Sequence, residues 1–290
     1  MDRGKKNSCW LFYRLGQGQL DWLAMDMREQ VWSPLQNTAI WMGAWLYGHE
    51  PADDALAALS QLGGTQRLVS TPDDVSTTRP FIDALSLIRE STAGADPADG
   101  PTLRLILSGP GDPPALPVNS PATIAATRNG QGALVVRADT SGTGEERHLI
   151  LVPEQTERGT DWTIFEETQR LPSPAWLSPG DADALLSQAT DESAALIEAM
   201  GYKSDKVPNP RLTVGTLADF YDTPGLPLST PGRSAKLFAR ADRVAAIIET
   251  VTDRVDDHSL DPQLFRLWRH VRAARIAGVD YALMDFARGA

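Results

Sequence analysis

The sequence predicts an α+β protein: N-terminal helices with a small antiparallel sheet, packed against a helical C-terminal portion that ends in an antiparallel helix pair. Three observations carry this. Leu237, Ala241, Val244, Ile248, Val251 and Val255 recur at alternating steps of four and three, which is one face of an α-helix. Leu103-Arg104-Leu105-Ile106-Leu107 switches to a period of two, the mark of a strand. The strand-like segments are grouped together, with helical segments before and after. A run of strands beside runs of helices indicates α+β rather than an alternating parallel fold.

Taken in order, residues 1–30 hold scattered aromatics with no sustained period. Translation starting at Met1 or near Met25 or Met27 would fit, and residues 1–24 are expected to be a weakly packed leader, with Trp10 and Trp22 outside any core. Asn37 to Gly48 is apolar on most sides and reads as a buried helix closed by Gly48. Pro51, Asp53 and Asp54 suit the first turn of a second helix, which Gly63-Gly64 ends. Arg67-Leu68-Val69 is a short strand. Arg79 to Ser91 reads as a third helix with Pro80 in its first turn. After the strand at 103–107, the expected strands are Ala133 to Arg137, Leu149 to Val152 and Asp161 to Glu167, with a polar hairpin over Thr140 to Glu146.

Leu171 to Pro179 carries three prolines and marks a boundary, which divides the chain into an α+β portion at 25–170 and a helical portion at 171–290. Asp181 to Met200 and Leu217 to Tyr221 are helical. The final pair runs from Arg233 to Val255 and from Asp261-Pro262 to Phe286. Asp at the cap and Pro at the first helical position suit a helix start. Leu264, Trp268, Val271, Val279, Leu283 and Phe286 line the last helix. Arg272 and Arg275 fall inside that apolar arc, while Arg266, Arg269 and His270 point away. An arginine placed there snorkels to the edge, finds a carboxylate under the fold, or floors an anion-binding pocket.

The 290 residues include 42% hydrophobic side chains and eight Trp, enough for a sizeable core. A net charge of −11 disfavours nucleic acid and anionic membranes as partners. No run approaches the roughly 18 apolar residues of a membrane span. Arg14 cuts short the apolar run that follows Lys5 and Lys6, so no export signal is read. Cys9 is the single cysteine, which forbids an intramolecular disulfide and fits a cytoplasmic setting.

Motifs for chemistry are few. Gly109-Pro110-Gly111-Asp112 follows the best strand, where α/β sheets place ligands, yet it lacks the Gly-Lys-Ser/Thr ending of a phosphate loop. It is a rigid turn or a ligand loop. The chain has no Gly-x-Ser-x-Gly elbow, no His-Glu-x-x-His and no cysteine-based metal site, so neither a metal nor a cofactor is expected. His148, beside Glu145 and Glu146, reads as an exposed strand edge. Asp256-Asp257-His258 reads as a solvated turn. Glu166 and Glu167, as strand neighbours, face opposite sides. Trp41 and Trp45 lie one helical turn apart; with Trp268, Arg272 and Arg275 they would form an aromatic pocket with a cation, suited to a small anionic ligand or a peptide.

Ala44 to Gly48 running into Asp53 to Leu56, Leu105 to Pro113, and Leu237 to Val244 together resemble a group of uncharacterised actinobacterial proteins. The resemblance covers residues 25–290 and implies a bacterial cytoplasmic setting and a late start; it implies no catalytic residue. The reading that follows is a non-enzymatic binding or regulatory protein with a protein or small anionic ligand as partner. The alternative is an enzyme that uses an anion pocket at Arg272 and Arg275.

Overall fold

The computed structural model describes residues 34–70, 77–95, 101–109, 111–129, 132–139, 146–172, 176–199, 225–252 and 261–290. The expected leader with Trp10 and Trp22, the 217–221 turn of helix and the Asp256-Asp257-His258 turn lie outside the described residues. The fold is mixed α+β. Its described helices are α1 Pro34–Leu46, α2 Ala52–Gly63, α3 Ile82–Thr92, α4 Pro121–Asn129, α5 Pro179–Ala199, α6 Gly232–Thr252 and α7 Asp261–Arg288. Its strands are β1 Gln66–Ser70, β2 Thr77–Pro80, β3 Leu103–Ile106, β4 Ala133–Arg137, β5 His148–Thr156 and β6 Gly159–Glu167.

The sheet order is β2-β1-β6-β5-β4-β3. The expected antiparallel group β3-β4-β5-β6 is present. Two features differ from the sequence reading. β1 joins the sheet in parallel with β6, Leu68 opposite Trp162, a long-range pairing that no local pattern encodes. Arg79 and Pro80 belong to β2, which pairs with β1, so α3 starts only at Ile82. Proline is tolerated there because β2 is an edge strand.

Strand alternation gives the sheet two buried faces. Leu103, Leu105, Leu134, Val136, Leu149, Leu151 and Trp162 face α1, α3 and the end of α7. Ile106, Ala133, Val135, Ile150 and Val152 face Ala122 and Ala126 of α4. The sequence reading has no helix at 121–129; with only two buried small residues, its apolar stripe is too faint to register. α1 is buried nearly all round, as its composition implies.

The second core is a three-helix bundle. Ala182, Leu186 and Ala189 of α5 pack with Leu237, Ala241, Val244 and Ile248 of α6 and with Leu264, Trp268, Val271 and Ala274 of α7. The α6 and α7 helices run antiparallel: Ser234 donates to the Gly278 carbonyl at 2.8 Å, and Asp242 reaches Arg275. A Cβ on Gly278 would sit 2.4 Å from the Phe238 ring, so glycine permits this close approach. α7 spans both cores. Its first half fills the bundle, while Val279, Ala282, Leu283 and Phe286 fill the sheet-side core. At its end the Gly289 amide donates to the Asp285 and Phe286 carbonyls at 3.2 Å, without a positive φ at that glycine. His49 also donates, from Nε2, to the Phe286 carbonyl at 2.9 Å, with the two rings 5.2 Å apart.

Candidate functional site

The two arginines inside the apolar arc of α7 are buried, Arg272 at 6% exposure and Arg275 at 4%. Each reaches a carboxylate from another element. Arg275 pairs with Asp242 of α6 at 2.7 Å and donates to Gln36 of α1 at 2.7 Å. Arg272 donates through Nε to Asp112 at 3.2 Å. Burial pulls the Arg272 pKa below its ordinary value, and Asp112 opposes that pull. Gly109 lacks the Cβ that would collide with this guanidinium, at 2.3 Å from Nη1. Gly109 and Asp112 exchange both backbone bonds, so this loop is a closed turn pinned to α7.

The three tryptophans face different surroundings. Trp41 donates to the Gly225 carbonyl at 3.1 Å. Trp45 lies in the sheet-side core with the Arg89 guanidinium 4.6 Å from its ring centre. Trp268 is in the bundle core. None of the five lines the large cleft described below.

His148 is not an exposed edge. It is 8% exposed, because β5 is an interior strand with β4 and β6 on either side. The register sets it between Arg137 and Glu167. Burial lowers its pKa first, Arg104 and Arg137 lower it further, and Glu146 and Glu167 oppose. Glu166 and Glu167 do face opposite sides: Glu166 pairs with Arg147 at 3.0 Å near the surface, and Glu167 is buried.

Asp280 of α7 is a second buried carboxyl. Burial pushes its pKa from 3.8 up to about 6, and the Arg104 charge opposes only in part. The folded chain thus keeps this proton where the unfolded chain has released it. Stability from this group is present at low pH and is lost as pH rises from about 4 through about 6, by roughly 3 kcal/mol. Asp280→Asn is expected to remove most of that difference. Urea unfolding at pH 4 and pH 7 checks it; an equal change in parent and variant rules the effect out.

A cleft of about 840 Å³ opens among the start of α5, the first half of α6 and the end of α7. α6 supplies Arg233, Lys236, Arg240 and Arg243. These positions recur at three- and four-residue steps along an exposed flank of α6 beside the buried stripe. α7 adds Tyr281, Met284 and Arg288, and Trp176 stands on the rim at 61% exposure. Among the described residues, the one carboxylate lining the cleft, Asp183, is held by Arg240 at 3.0 Å, and Arg240 also donates to Ser187. Ser178 Oγ caps α5, accepting from the Asp181 amide at 3.1 Å and donating to its carboxylate at 2.7 Å. Five cations thus converge on a chain whose net charge is −11. The sequence reading did not name them as a set, although their spacing was a usable signal.

Among the described residues no group of three or more His, Cys, Asp or Glu is placed to hold a metal, and no helix is long and apolar enough to cross a membrane.

Comparison with known proteins gives two family matches: the N-terminal domain of Rv1486c-like proteins over residues 36–177 and their C-terminal domain over residues 180–276. Two relatives from Mycobacterium tuberculosis, named uncharacterized protein MT1533 (strain CDC 1551 / Oshkosh) and uncharacterized protein Rv1486c (strain ATCC 25618 / H37Rv), are similar. Each is 28% identical over 243 residues, covering 75% of this chain and 82% of the relative. No solved structure matches.

Proposed function

We propose that this chain, which belongs to the Rv1486c-like family of actinobacterial proteins, is a binding protein whose ligand is an anion held in the α5–α6–α7 cleft. The observation that carries the reading is the convergence of five cationic side chains on one concave surface of an acidic protein. Concentrating like charges costs free energy unless a counter-charge is supplied. Exposed guanidinium and ammonium groups along a cleft of this volume supply the hydrogen-bond donors and the field that draw in an anion. The compartment we assign is the cytoplasm, in line with the lone Cys9. The buried Arg272 and Arg275 then serve as ion pairs that join α7 to the Asp112 turn, α1 and α6.

Titration calorimetry with pyrophosphate at low ionic strength tests this. A single saturable site is expected. Lys236→Gln with Arg243→Gln should weaken it about tenfold or more, since each charge-assisted bond contributes on the order of 1 kcal/mol. Both side chains are exposed, so the variant keeps its fold. Equal affinity in parent and variant would place the anion elsewhere.

A further inference from the structure

Resting on that anionic-ligand reading, we infer that the ligand is a nucleoside polyphosphate, with its phosphates along α6 and its base on Trp176. The cationic row is long. Arg233 and Arg243 stand ten residues apart on one helix, about 15 Å at the helical rise. Neighbouring cations in such a row are about 5–6 Å apart at their bases. One phosphate group meets one such gap; a chain of phosphates meets the row.

The polarity of the lining is one-sided. Guanidinium and ammonium groups donate and never accept. Among the described residues, the carboxylate in the lining is Asp183, and Arg240 engages it. A peptide would bring backbone N–H groups that find no free carboxylate there. A phosphate chain brings acceptors alone, which matches a wall of donors.

Aromatic surface borders the cations. Trp176 is a large planar surface left in water at the edge of a cationic cleft, and Tyr281 and Met284 add an apolar wall. Inorganic phosphates leave that surface uncovered. A nucleobase stacks on it, as bases do on aromatic side chains wherever single nucleotides are held.

The full chain is titrated with ATP, GTP, inorganic triphosphate and a short single-stranded DNA. The nucleoside triphosphates are expected to bind about tenfold more tightly than inorganic triphosphate, the increment of one stacked base. Trp176→Ala should abolish that margin and leave inorganic triphosphate within about twofold of the parent. If inorganic triphosphate binds as well as ATP and GTP, the nucleotide assignment falls while the anion site stands. Tighter binding of the DNA strand overturns the small-molecule class in favour of an oligonucleotide. If none of the four binds, both the assignment and the anion reading fall. Trp176 is exposed, and an unchanged thermal midpoint in the variant separates loss of stacking from loss of fold.

Discussion

Phe286→Ala lowers the free energy of unfolding by about 3–5 kcal/mol, the range for removing a buried aromatic ring. The ring is 1% exposed, packs beside the His49 imidazole and lies against the backbone of Gly43. A Cβ on Gly43 would sit 3.5 Å from it and 2.1 Å from a Leu283 methyl, so α1 and α7 already meet at close contact. Little room remains for the neighbours to collapse into the vacated volume, which puts the cost toward the upper end. Domains of this size are stable by only about 5–15 kcal/mol, so one ring carries a large share. Urea unfolding followed by circular dichroism measures it. A loss below about 1 kcal/mol would show that the end of α7 does not hold the sheet-side core.

Asp242→Leu gives a loss of about 3–5 kcal/mol by a different route. It leaves the Arg275 guanidinium, 4% exposed, without the carboxylate 2.7 Å away. Gln36 still accepts one hydrogen bond, but a neutral amide does not neutralise a buried charge. Adding Arg275→Met to Asp242→Leu removes the charge that lost this carboxylate and should recover most of the loss, to within about 1–2 kcal/mol of the parent. That recovery identifies an ion pair; losses that simply add would mean that each residue acts alone. The comparison also separates a structural Arg275 from one kept for a ligand, because the double variant should bind pyrophosphate as the parent does.

The fold class was legible because its signals are periodic. The stripes of α6 and α7, the alternation in β3, and Gly48 and Gly64 closing α1 and α2 are local patterns. Gly48 and Gly64 do adopt positive φ. The parallel β1–β6 pairing was not legible, because it joins segments about 90 residues apart. α4 escaped because its buried face is alanine, which contributes little to any apolar period.

The site was legible only in fragments. Arg272 and Arg275 announced themselves by breaking the apolar pattern of α7, and that break reflects pairing across elements. His148 was misjudged because its exposure depends on strands that pair on either side of it, not on its glutamate neighbours. The basic row on α6 obeys the amphipathic pattern, so it looked like an ordinary solvated face. It becomes a concave surface only when α5 and the end of α7 rise beside it, and that juxtaposition is not local.

One property of α7 concerns how the chain is divided. The matched C-terminal domain ends at residue 276, yet Val279, Ala282, Leu283 and Phe286 complete the core whose other buried members come from residues 35 to 162 and from Phe238. Covalent order and core membership therefore disagree. The linker after β6 is where the sequence parts, but it is not where the molecule parts. Severing the chain there would leave the first fragment short of its own closing piece and the second holding an apolar helix end with nothing to cover it.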